Sequence, residues 1–186
     1  MFVRALSTAA CTAVLAASSL CQMSGMSMPA SGGQQPMPSP PASASVTLAG
    51  KTVTINYHAP SLRKRHLVGP EIVPWNTVWR TGANEATTLI TPISLHIGTL
   101  LVPAGTYTVY TLPTATKWML IINKQTGQWG TEYDQTKDLG RVELKAHTIA
   151  TPQEVMAISF DDIKKDSAEL HIRWEAVDES VKITTP

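Results

Sequence analysis

From Ala44 onward, apolar and polar residues alternate with a period of two. That spacing puts one row of side chains on each face of a β-strand. Val46 and Leu48 flank Thr47, and after Ala49-Gly50-Lys51 the residues Val53, Ile55 and Tyr57 alternate with Thr52, Thr54 and Asn56. The pair predicts a hairpin closed by a Gly-centred loop. Further strands are predicted over 85–91, 94–97, 106–112, 118–123, 140–145, 154–160, 168–174 and 180–183, each short and bounded by Gly, Pro, Asn or Asp. No sustained helical stripe is present. Only 71–78, limited by Pro70 and Pro74, leaves room for a short turn of helix.

Many short strands at regular spacing predict an all-β fold, a single antiparallel β-sandwich of jelly-roll or immunoglobulin-like kind. The expected apolar face comprises Val53, Ile55, Leu89, Leu95, Ile97, Tyr107, Val109, Leu120, Ile122, Val142, Leu144, Ile158, Phe160, Leu170, Ile172 and Trp174. Burying each such side chain is worth about 1.5–3 kcal/mol. In sum that is enough for a stable domain without disulfides.

The pattern fails before Ala44, and composition there changes the picture. Met1 to Arg4 carries one positive charge, and 5–20 is a short run of Ala, Leu, Val, Ser and Thr without an acid. Residues 1–20 therefore read as a secretory signal peptide, too short and hydroxyl-rich for a membrane span. Residues 21–43 are rich in Met, Ser, Gly and Pro with almost no charge, which predicts a disordered linker ahead of a domain over 44–186. Met23, Met26, Met28 and Met37 are soft ligands by type, but no His stands at a useful spacing to make a copper site with them. The only cysteines are Cys11 and Cys21, so the domain carries no thiol chemistry. Cys21 admits a second reading as a lipidated residue, although Leu20 before it is larger than a lipoprotein signal prefers. The expected location is the periplasm or the exterior, with membrane contact only through the signal peptide or a lipid on Cys21.

A formal net charge of +1 offers no basis for nucleic-acid binding. The local basic run Arg63-Lys64-Arg65-His66 reads as a solvated loop. The densest chemistry lies in Trp79-Arg80-Thr81-Gly82-Ala83-Asn84-Glu85. A guanidinium is a permanent charge with a planar fork of donors. Arg80 and Glu85 across a Gly-containing turn therefore fit either a ligand clamp or a structural ion pair. Trp79 and Trp129 stand at loop edges beside polar residues, the chemistry of a stacking platform for a sugar or peptide or, equally, of two caps on the sandwich. Trp118 and Trp174 lie within strand patterns and are assigned to the core. Asn123 joins Trp79, Arg80, Asn84, Glu85 and Trp129 as candidate ligand contacts if the loops meet. The histidines form no metal-ligand spacing, and no metal or other cofactor is expected.

Several stretches, taken in order, resemble one family. They are 44–55, 57–60, Val78 through Thr87, Pro103-Ala104-Gly105-Thr106-Tyr107 and Asn123 through Thr131. The chain is similar to the bacterial, mostly exported domain-of-unknown-function family DUF2911. The resemblance implies a single exported all-β domain and brings no activity with it. Three functions remain open. The first is a non-catalytic module binding a small polar ligand, glycan or cell-envelope component. The second is a hydrolase-like enzyme using Glu85 as acid or base with Arg80 as anion clamp. The third is a structural envelope domain without a pocket.

Overall fold

A computed structural model describes residues 38–69 and 72–186. The expected signal peptide, Cys21 and all but the last six residues of the expected linker lie outside these. Among the described residues, no helix is long and apolar enough to cross a membrane.

The alternation produces the strands it predicts. In β1 (Pro41–Leu48), Ala44, Val46 and Leu48 are buried, and in β2 (Lys51–His58), Val53, Ile55 and Tyr57 are. The two pair from Pro41 opposite His58 to Leu48 opposite Lys51. Ala49 (φ 47°) and Gly50 (φ 74°) are both left-handed, the geometry that matches a two-residue turn to strand twist. Pro41 to Ser43, within the expected linker, pair with β2.

Eight further strands follow: β3 (Thr88–Thr91), β4 (Leu95–Ile97), β5 (Leu100–Val102), β6 (Gly105–Pro113), β7 (Trp118–Asn123), β8 (Asp138–Glu143), β9 (Lys145–Asp161) and β10 (Ser167–Thr184). One sheet has the order β1-β2-β3-β6-β7-β8, the other β5-β4-β10-β9. The strand pairings are antiparallel. A single apolar cluster draws on both sheets, so the all-β sandwich is the observed architecture. Every residue of the expected apolar face is buried except Phe160, which packs half-buried against it.

Four local differences have physical causes. β3 begins at Thr88 rather than Glu85, because 81–87 forms a loop closed by the Thr87 hydroxyl donating to the Thr81 carbonyl (2.8 Å). β5 was not expected, its three residues being too few for a period to show. The strands expected at 168–174 and 180–183 are one strand, β10, carried past Glu175 by register shifts. Finally, 72–78 contains no helix, and among the described residues the one helical turn is a 3-10 turn at Gln135–Lys137. Its cap is Asp134, which accepts from the Thr136 N–H at 2.9 Å.

Candidate functional site

The site begins where β3 stops. Beyond the Thr88 end of β3, Trp79 takes its place beside β6: Trp79 N–H donates to the Thr111 carbonyl (2.7 Å) and Thr111 N–H to the Trp79 carbonyl (2.9 Å). Between Trp79 and Thr88 the chain makes a loop held at two left-handed residues, Thr81 (φ 52°) and Asn84 (φ 57°). A β-branched residue there is strained. Thr81 is fully buried, and its hydroxyl donates to Thr111 Oγ1 (3.2 Å). The loop is further tied by Ala83 N–H donating to the His58 carbonyl (3.2 Å).

A second segment docks on this loop. Gly130 N–H donates to the Asn84 carbonyl (3.0 Å), and Ala86 N–H to that of Gln128 (3.3 Å), which sets Glu85 opposite Trp129. The family-like stretches 78–87 and 123–131 are therefore adjacent in space. Gln128 is buried beneath them, with Nε2 donating to Thr108 Oγ1 and Tyr110 Oη, both at 3.1 Å.

Together these pieces wall a cleft of about 550 Å³. Its aromatic lining is Trp79, Trp174, Tyr110 and Tyr133. Trp79 stacks on Trp174 (centroids 5.8 Å, planes 20° apart) and meets Trp118 edge-on at 6.3 Å. Tyr110 and Tyr133 meet edge-to-face at 5.0 Å. Burial and the Asp138 carboxylate, which accepts its hydroxyl at 2.7 Å, push Tyr133 up to about 12. Tyr133 is therefore a neutral phenol at any physiological pH.

The charged lining is one-sided. Arg80 and Arg65 both line the cleft, and no Asp or Glu among the described residues does. Arg80 Nε donates to the Gly82 carbonyl (3.3 Å), and Arg65 Nε to that of Leu62 (2.9 Å). Neither guanidinium has a carboxylate partner among the described residues. Asn84 completes the polar lining, with Nδ2 donating to the Ser39 carbonyl at 3.5 Å.

Of the residues expected to form one contact surface, the structure thus brings Trp79, Arg80 and Asn84 to one cleft. The others lie elsewhere. Glu85 does not pair with Arg80. Its side chain is 63% exposed, meets His58 Nδ1 at 3.3 Å, and lines a separate depression with Tyr57 and Thr88. Trp129 is 47% exposed and outside the cleft lining; its neighbours Gly130 and Thr131 line it instead. Asn123 is fully buried, and both its amide protons are engaged, with the Asp134 carbonyl and Asp138 Oδ1 at 2.9 Å each. It ties down the 125–138 loop.

Tyr110, Tyr133, Trp174 and Arg65 were not expected at the site. The one signal for Tyr110 is its place on the outward row of β6, beside Thr108, where an exposed strand face would not carry a large aromatic. No group of three or more His, Cys, Asp or Glu suited to a metal ion occurs among the described residues.

A family model described as "Protein of unknown function (DUF2911)" matches residues 39–183. Neither the curated proteins nor the solved structures compared with the chain include a match.

Proposed function

The chain belongs to the DUF2911 family of proteins of unknown function, and on that premise we propose that it is a non-catalytic binding module whose cleft takes a small polar ligand bearing a negative charge. An acidic glycan or another anionic cell-envelope component has this chemistry. The observation that carries the reading is Arg80: a guanidinium lining an aromatic-floored cleft with no carboxylate among the described residues to neutralise it. Arg presents a fork of donors that matches a carboxylate or phosphate in two parallel hydrogen bonds. The indole and phenol surfaces supply apolar area, and Asn84 and Thr131 supply polar groups at the edge, the usual composition of a small-ligand site. A signal peptide over 1–20 would carry such a module to the envelope, where these ligands occur.

The hydrolytic alternative asks Arg80 and Glu85 to act on one substrate. Their placement in different recesses favours binding without catalysis.

The test is a thermal-shift screen of the full chain with glucuronate, N-acetylmuramate and a hexose phosphate. A ligand at about a hundred times its Kd adds roughly 2.7 kcal/mol of stability. The expected result is a rise in Tm for the wild type that Arg80→Ala abolishes. Equal stabilisation of both proteins would remove Arg80, and with it this reading.

A further inference from the structure

A second recess, on another side of the Trp79–Trp118 contact, has different chemistry. Along β10, Val181 and Ile183 belong to the core, and strand alternation puts Glu179 on the same row. Glu179 is only 5% exposed. Its Oε2 is buried and has no hydrogen-bond partner. Leaving a buried polar oxygen without a donor costs about 1–3 kcal/mol. Neighbours on the opposite row show the contrast: Asp178 accepts from His171 (2.7 Å) and Arg173 (3.0 Å), and the Ser180 hydroxyl donates to Glu169 (2.6 Å). Of these three neighbours, Glu179 is the one left wanting.

The recess that Glu179 lines measures about 610 Å³ and is walled by Trp75, Trp118, Lys117, Glu143 and Lys145. Trp75 is 46% exposed, the conspicuous apolar surface there. We propose that this recess is a second binding site for a neutral saccharide, whose ring stacks on Trp75 and donates one hydroxyl to the Glu179 carboxyl as it turns toward the recess.

Charge selects this class over its rivals. Lys117 is neutralised by Glu143 at 2.9 Å, and Lys145 and Glu179 add one group of each sign. A cationic ligand meets two lysines, and an anionic one meets two carboxyls. A neutral polyol meets neither penalty and uses every group. Its C–H face packs on the indole. Its oxygens accept from the ammonium groups, and a hydroxyl proton fills the vacancy at Glu179. Burial, and then the negative charge of Asp178, push the Glu179 carboxyl up to about 7. Both protonation states can bond a hydroxyl, but the ionised one accepts the stronger bond. Binding therefore pulls the Glu179 pKa down. The charged groups around Glu179 that bear on this are Asp178 on its own strand, Lys117, Glu143 and Lys145.

The site does not depend on the Arg80 cleft and is tested separately. The full chain is titrated with cellotetraose, maltotetraose, xylotetraose and chitotetraose, read by calorimetry and by indole fluorescence. The expected result is binding of at least one tetramer, weakened about tenfold or more by Trp75→Ala and by Glu179→Leu. Glu179→Leu also unfolds at a higher temperature than the wild type, since it removes the unpartnered oxygen. In the complex, the Glu179 carboxyl carbon titrates at lower pH than in the free protein. The proposal is overturned if no tetramer binds, or if Trp75→Ala binds as the wild type does. Should Glu179→Leu fail to fold, Glu179→Met, which keeps the length without an oxygen, takes its place with the same expected loss.

Discussion

Gly130 lies against Arg80 with no space between them for a side chain. Its N–H bonds the Asn84 carbonyl, and a Cβ at Gly130 would stand 2.8 Å from that same oxygen and closer still to Arg80 Cδ. One backbone contact thus fixes both the loop that carries Arg80 and the wall opposite.

Gly130→Ala is therefore expected to push Arg80 and the 84–86 backbone apart. Overpacking of this kind costs about 1–3 kcal/mol. Urea unfolding measures that loss, and any ligand found for the cleft should bind the variant more weakly. Unchanged stability would mean that the contact is softer than its geometry.

The tryptophans are expected to separate by burial. Trp79 is buried between Trp174 and Trp118, so Trp79→Ala should cost about 3–5 kcal/mol. Trp129→Ala, at a half-exposed side chain, should stay within about 0.5 kcal/mol. Denaturant midpoints of the two variants decide this. A large loss at Trp129 would reveal packing that the fold does not account for.

Adjacent carboxyls on β10 are expected to bend stability in opposite directions. Glu179 has a folded pKa raised from 4.5 to about 7, so the folded state holds a proton that the unfolded state has released. Stability from this group falls as pH rises from about 4.5 to about 7 and stays low above. Glu179→Gln should remove that fall, so its advantage over the wild type grows across this window. Asp178 behaves oppositely. Burial pushes it up, but hydrogen bonds and charge from His171 and Arg173 outweigh burial and leave it below 3.8. Its contribution is present above the unfolded value and is lost as pH falls through the folded one. Thermal unfolding of wild type and Glu179→Gln across the pH range reads both effects.

Arg173 is expected to be structurally indispensable where Arg80 is not. It reaches Asp178 at 3.0 Å, Asp161 at 2.6 Å and Ser159 at 2.8 Å. Arg173→Met leaves the buried Asp178 with His171 alone, and breaking such a pair costs about 3–5 kcal/mol. Arg80→Met removes no ion pair among the described residues. Comparing the two by chemical denaturation distinguishes a cation committed to the fold from one available to a ligand.

What the sequence reveals and conceals follows from the range over which each signal acts. The β1–β2 hairpin and the core rows of β6 and β7 are written in local alternation, which needs no knowledge of distant residues. The unity of β10 is not. Glu175-Ala176-Val177-Asp178-Glu179 looks like a break between two strands, yet left-handed Glu175 (φ 52°) and the register shifts around it let pairing with β9 continue. Glu179 escapes for the same reason, since a residue left between two expected strands is given no face to be buried on. The separation of Arg80 from Glu85 depends on left-handed Thr81 and Asn84; Asn tolerates that conformation, but nothing in a sequence signals it at a β-branched Thr. Tyr110 is covered by segments from elsewhere in the chain, which no local pattern reports.

Trp79 touches both Trp118 and Trp174, and the three border different recesses: Trp79 and Trp174 the Arg80 side, Trp118 the Glu179 side. Indoles this close couple their transitions, so the signal of Trp79 depends on both of its neighbours. The protein therefore carries a built-in reporter at the partition between its two cavities. Occupancy of either one is legible in the same near-ultraviolet band, with no label attached.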